Sequence, residues 1–306
     1  MKQLRGSIPW WLRICSKIML SRLPVKYPTW KRLRLFEHGT MDQPEKALEI
    51  FVSLAKTAGV LQEMGNQIYL ISGFNGPDSS VLEIGPGDSL ASALIAKSLG
   101  VGKTWLADAG NFITKEIGPY LKLAEYLERF NLSIPWSTPP DSYDDIIRSC
   151  NATYLVEGLD SLKHIPSESV DYCFSNAVLE HIPKQQFSDF VVELARILKS
   201  KAVSIHRVDL KDHLGGALNN LRFTDNVWES ALFRNSGFYT NRIRFFEMVN
   251  LFNKARLDVE VAETLRWPCL PTPRRYLDRQ FRKLSDEDLM VRGFVAVLKK
   301  RETDGN

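Results

Sequence analysis

The sequence predicts an α/β fold: a seven-stranded, mostly parallel sheet with helices on both faces. Three observations predict it. Four apolar or acidic residues at 81–84 enter a tight turn with two glycines, Gly85 and Gly87, and a helical pattern starts at once at Asp88. Short apolar runs then alternate with helix-length segments as far as residue 215, the order of βαβ units, which build parallel sheets covered on both sides. The chain has 306 residues, 44% of them hydrophobic, enough to bury one large core.

The elements follow in order. Residues 1–42 form an N-terminal helical extension. Within it Trp10, Trp11, Ile14, Ile18 and Leu20 stand among Arg13, Lys17 and Arg22, the pattern of a basic amphipathic helix. Such a helix either lies on an anionic membrane surface or packs its apolar face on the body. Pro24, Pro28 and the basic run at 31–34 read as a linker. Residues 43–306 form the main domain. Its first helix is expected over about 43–64, with Ala47, Ile50, Phe51, Leu54 and Leu61 at helical spacing. A core at about 79–215 follows, with strands at 81–84, 104–107, 153–156, 170–175 and 202–208 and helices at 88–99, 115–130 and 185–198. Asp88 stands at or near the N-cap of the helix at 88–99. An insertion at about 216–252, helical and rich in Arg and aromatic residues, separates the fifth strand from a terminal antiparallel pair within about 256–299.

Charge narrows the function. The net charge of +4 is uneven: residues 1–36 hold nine Lys or Arg and no acid, which leaves 31 basic against 36 acidic residues in the remainder. A body with that balance is not built to grip a nucleic acid backbone, so no nucleic acid partner is expected. The four scattered cysteines, Cys15, Cys150, Cys173 and Cys269, form no metal-ligand pair and suit a reducing compartment. No apolar run approaches the ~20 residues of a membrane span, and charges interrupt the N-terminus as a signal peptide. A cytoplasmic protein is expected, peripheral at the inner face of a membrane if residues 1–36 touch lipid.

Glu83, two residues before Gly85, decides which nucleotide the loop suits. A carboxylate there repels the pyrophosphate of a dinucleotide, and Leu90 stands where the dinucleotide fingerprint needs its third glycine. S-adenosylmethionine has no phosphate and carries a sulfonium and an ammonium, both of which a carboxylate attracts. Asp108 lies 21 residues after Gly87, at a strand end, placed to accept both hydrogen bonds of a ribose diol. After the fifth strand, His206, Asp209, Asp212 and His213 gather where acceptors dock in such sheets, and each is a candidate general base. Asp209, Asp212 and His213 on a loop are too nonspecific for a metal site, and none is expected.

Residues 81–89 (Val-Leu-Glu-Ile-Gly-Pro-Gly-Asp-Ser) resemble motif I of the class I S-adenosylmethionine-dependent methyltransferases, with Ser89 in the slot of the third glycine. Residues 169–182, ending in Leu179-Glu180-His181-Ile182, resemble the fourth-strand region of the small-molecule branch. Residues 193–199 and the following strand resemble the next segment, with Ser200-Lys201 replacing its Pro-Gly turn. The resemblance covers about residues 80–215 and is to the "methyltransferase domain 11" kind. It implies a Rossmann-like sheet, S-adenosyl-L-methionine as cofactor, and Glu83, Gly85, Gly87 and Asp108 as its binding residues. It further implies Leu159 and Asp160 at the adenine, although a leucine interrupts the usual Gly-Asp. Ser175 and Asn176 belong near the methionine moiety, and Glu180 and His181 toward the acceptor or at the start of a helix. The expected function is methyl transfer to a small-molecule or glycan-type acceptor, by preference to oxygen, with His206, Asp209, His213 and His181 as candidate bases. The alternatives are a noncatalytic S-adenosylmethionine-binding partner of a membrane-associated biosynthetic complex, and a nicotinamide-dependent oxidoreductase on a similar sheet.

Overall fold

The computed structural model describes residues 9–21, 43–64, 67–71 and 73–301. The linker expected between Pro24 and Arg34 lies outside the described residues. Helix α1 (Trp10–Ser21) is followed by α2 (Pro44–Thr57) and by a small hairpin, β1 (Leu61–Met64) with β2 (Gln67–Leu70). The main sheet contains β3 (Gly76–Ile84), β4 (Val101–Ala107), β5 (Ala152–Leu155), β6 (Val170–Asn176), β7 (Leu198–Asp209), β8 (Leu257–Arg266) and β9 (Val291–Lys300). Their order is β5-β4-β3-β6-β7-β9-β8. The pairs from β5 to β7 are parallel, and β9 alone runs against its neighbours β7 and β8. The order reverses at β3 and β6, and the crevice of such a sheet lies outside the carboxyl ends of those strands. The expected Rossmann-like sheet of seven strands is borne out.

Alternation along the strands feeds two cores. Val81, Tyr172, Phe174 and Ile205 point to one face, where they meet α2, α3 (Ala91–Ser98), α4 (Gly118–Glu128) and α5 (Tyr143–Ser149). Leu82, Ile84, Cys173, Ala296 and Leu298 point to the other. There they meet α6 (Leu159–Lys163), α7 (Lys184–Ile197) and α8 (Phe245–Lys254).

Three local expectations are corrected. The helix expected over 43–64 stops at Thr57, because Gly59 takes φ +72°, a left-handed conformation that ends helices, and residues 61–64 pair as a strand. Helix α3 starts at Ala91, not Asp88. Its N-cap is Leu90, without a side-chain cap, while Ser89 Oγ accepts from Ala91 N at 2.8 Å. No turn separates α7 from β7: the chain passes straight into the strand at Leu198, so Ser200 and Lys201 are strand residues.

A cap over the strand ends is built from two insertions. The first follows β7 and carries two four-residue helices (Asp225–Trp228 and Ala231–Arg234). Phe245, Met248 and Phe252 of α8 already rejoin the main core. The second lies between β8 and β9, where Leu277, Phe281 and Leu289 pack on Leu218 and Leu221 of the first. Buried Arg244 ties the two, donating to the carbonyls of Leu210, Asp288, Leu289 and Val291 at 2.6–3.2 Å. Helix α1 packs on this cap: Ile14 is buried with Trp228, Phe233 and Tyr239, and Trp10 meets Phe223 edge-on at 6.0 Å. Among the described residues no helix is long and apolar enough to cross a membrane.

Candidate active site

The glycine turn is fixed by backbone conformation. Gly85 and Gly87 have φ of +72° and +66°. A Cβ on Gly85 would stand 2.4 Å from Val178 Cγ2, so the loop after β6 lies directly on the glycine. Beneath it Glu83 is half-buried beside Ser92 and Asp108. Desolvation, reinforced by the Asp108 charge, pushes Glu83 up to about 8, although the Ser92 hydrogen bond opposes the shift. Asp108 accepts from Gly87 N at 2.9 Å and Ala109 N at 2.7 Å, which pins its carboxylate at the end of β4, and burial raises it too. The floor of the crevice therefore holds two carboxyl groups, and no cation contributes to the shift of either. That donor set fits a ligand carrying positive charge and two hydroxyls, and is hostile to a diphosphate.

Next to Asp108, the loops leaving β4 and β5 expose two apolar side chains, Phe112 and Val156. Tyr154 joins the loops, its hydroxyl donating to Gly110 O and accepting from Phe112 N. Sequence reasoning missed this pair, since exposure of an apolar residue after a strand leaves no local signal. Leu159 packs half-buried against the second core. Asp160, expected at the adenine, instead sits on the first turn of α6, paired with Lys163 at 2.6 Å and 65% exposed.

The expected methionine contacts divide. Asn176 is half-buried at the tip of β6 and accepts from Arg207 at 3.3 Å. Ser175 is fully buried, hydrogen-bonded to His206 Nδ1 at 2.8 Å. His206 is equally buried, its Nε2 against Ser204 Oγ at 2.7 Å, and it stacks on Phe252. Burial lowers His206 to about 3, so the ring is neutral. Both residues belong to a polar chain inside the core rather than to the crevice surface, and the reading of His206 as a base at the acceptor is corrected on that ground.

Of the remaining candidates, the structure brings His181 and His213 together. His181, in the 3-10 turn after β6 (Leu179–His181), lies against His213, ring centroids 4.8 Å apart, and His181 Nδ1 bonds Tyr239 O at 2.9 Å. Asp209 ends β7 with its carboxylate on Lys211 N at 2.9 Å and Lys211 Nζ at 3.2 Å. Asp212 is consumed by the amides of Leu214, Gly216 and Asn219, which fold its loop. Among the described residues no group of three or more His, Cys, Asp or Glu is placed to hold a metal ion.

Behind His181 stands Glu180, which the sequence places with it toward the acceptor or at the start of a helix. Glu180 is 1% exposed, and neither carboxyl oxygen makes a hydrogen bond of ordinary geometry. It lines a cavity with Asp209, Asn220, Thr240, Arg242 and Arg244, in which Asn220 Oδ1, Arg242 Nε and Arg244 Nε also lack partners. Orphaned polar atoms beside a cavity of about 10 Å³ leave room for one water at most. Desolvation, with Asp209 adding repulsion, pushes Glu180 up to about 8. Val178 on Gly85 and Glu180 under the cap are two residues apart, so one short turn links the glycine loop to the cap.

Comparison with known proteins agrees with this geometry. Residues 142–205, from the start of α5 into β7, match the family model of the methyltransferase domain. No curated protein matches the chain. Among solved structures, the YcgJ protein of Bacillus subtilis is 14% identical over 84% of this chain and 99% of its own, with a TM-score of 0.44. An S-adenosylmethionine-dependent methyltransferase of Methanosarcina mazei is 17% identical over 77% and 100%, with a TM-score of 0.42. Phosphoethanolamine N-methyltransferase 2 of Haemonchus contortus, solved with S-adenosyl-L-methionine, is 14% identical over 84% and 52%, at 0.43. The matched segment, the sheet order and the acidic glycine loop are those of a domain similar to the S-adenosylmethionine-dependent methyltransferases.

Proposed function

We propose that the protein methylates a hydroxyl of a small-molecule or glycan-type acceptor, lipid-linked in the form that suits the basic N-terminal segment. The observation that carries this reading is the acid–base cluster of Glu180, His181, Asp209 and His213, one turn from the glycine loop and beneath a cap. When bound, S-adenosylmethionine supplies an electrophilic methyl group. Glu83 would attract its cationic end and Asp108 would accept from the ribose hydroxyls, with Gly85 and Gly87 leaving room for the backbone and Phe112, Val156 and Leu159 offering apolar surface to the adenine. The cap orients the acceptor, so that nucleophile and methyl meet in line. As the oxygen–carbon bond forms and the carbon–sulfur bond breaks, the hydroxyl proton passes to a base of the cluster. Asp209, His181 and His213 are the candidate bases, and Glu180, as enclosed as His206, stands behind them. His206, enclosed by Ser175, Ser204 and Phe252, only supports the strand tips.

The test is calorimetric titration with S-adenosylhomocysteine, with NAD as control, on wild type and Glu83→Ala. Micromolar binding lost in the variant, with none to NAD, supports the cofactor half, and screening of hydroxylated acceptors then follows. Tight binding without turnover on any acceptor would leave the noncatalytic reading, and binding of NAD instead would overturn the proposal.

A further inference from the structure

Helix α1 has more apolar surface than the cap uses. Trp10, Ile14 and Ile18 face the cap. Trp11, Leu12 and Met19 do not, and they are 54%, 45% and 71% exposed. Residues 11, 12, 15 and 19 share an arc of about 100° on a helix of 3.6 residues per turn, adjoining the arc that packs. Exposed Cys15 falls on the same arc. Three large apolar side chains aligned in water mark an interaction surface rather than scattered exposure. The charge around them says which kind. Residues 1–36 carry nine Lys or Arg without a single acid, against an acidic excess in the rest of the chain. An apolar arc with tryptophan, set in uniformly positive sequence, complements the interface of an anionic bilayer, where the indole settles among headgroups and the cations meet lipid phosphates.

We propose that the outer arc of α1, Trp11, Leu12 and Met19, docks the protein on an anionic lipid surface while the neighbouring arc holds the cap to that surface. The helix then acts as a rigid bracket. Through Trp10, Ile14 and Ile18 the lipid contact is transmitted to Phe223, Trp228 and Phe233, so the acceptor side of the crevice is the side carried to the bilayer. The lipid contact itself is independent of methyl transfer; only its bearing on the acceptor rests on the proposed reaction.

The experiment is cosedimentation of the full chain with vesicles of phosphatidylcholine alone or mixed with phosphatidylglycerol, for wild type and a Trp11→Ser, Met19→Ser double variant. The expected result is binding only to the anionic vesicles, weakened by salt and reduced about tenfold or more in the variant. Unchanged S-adenosylhomocysteine binding by the variant shows that its fold is intact. Absence of sedimentation, or equal sedimentation by both forms, overturns the proposal. Self-association that the same substitutions abolish, without vesicle binding, also overturns it and assigns the arc to a second copy of the chain. Failure of wild type to bind S-adenosylhomocysteine removes the methyltransferase reading and leaves the vesicle result standing.

Discussion

The two sides of the crevice are made of different material. The side under Gly85 and Gly87 is made of backbone: two left-handed glycines, two amides on Asp108, and one carboxyl group at the end of the central strand. The side under the cap is made of side chains from distant segments: Glu180 and His181 after β6, Asp209 and His213 after β7, Tyr239 to Arg244 before α8. A backbone-built half tolerates little change at its own positions. A side-chain-built half can change with its insertions while the glycine turn stays as it is.

The largest expected effect falls on the backbone half. Gly85→Val forces a β-branched residue into φ +72° and against Val178. It should cost about 3 kcal/mol or more in denaturant unfolding and abolish S-adenosylhomocysteine binding. Arg244→Met strikes the other half. Four carbonyls lose a buried donor, so a loss of about 3 kcal/mol is expected, with cofactor affinity changed by less than about threefold once the protein is folded. Comparable affinity losses from both substitutions would show that the halves are not separable.

Two carboxyl groups sharpen the contrast through pH. Glu83 and Glu180 are both raised from 4.5 to about 8. These two groups therefore contribute stability that is present below pH 4.5 and lost as pH rises toward 8, opposed below pH 6.5 by His206, which burial lowers to about 3. Glu83→Gln and Glu180→Gln should each flatten the fall of Tm between pH 5 and pH 8. Saturating S-adenosylhomocysteine, whose ammonium favours the ionised form of Glu83, should flatten it in Glu180→Gln and wild type but add nothing in Glu83→Gln. A ligand effect that survives intact in Glu83→Gln would remove Glu83 from the cofactor site. The smallest effect is expected at Asp160→Ala, where an exposed pair with Lys163 is lost and affinity should stay within about twofold. A tenfold loss there would return Asp160 to the adenine.

What could be read from the sequence follows the same division. The strand, turn and helix around Gly85 and the acid ending β4 are local patterns, and they were placed within a few residues. The chamber around Glu180 was not legible, because its walls come from residues 180, 209, 220 and 240–244, brought together only by the cap. The second insertion was equally hidden, since the two short helices Arg279–Arg282 and Asp286–Leu289 offer too few turns for a periodic signal. His206 misled for the opposite reason. Its place in the sequence, late in β7, was right, but the alternation of the strand turns it inward with Ser204.

The position of β9 sets an order of events in time. Among the described residues it comes after the other strands in chain order, yet it is an inner strand, inserted between β7 and β8. A nascent chain that ends before Val291 can already pair β3 with β4 and β6 and so shape the glycine loop. It leaves β8 with no neighbour in the sheet, and Arg244 without the carbonyls of residues 288, 289 and 291. The half of the molecule proposed to hold the cofactor can thus be born early, while the half proposed to choose the acceptor waits for residues 288–300.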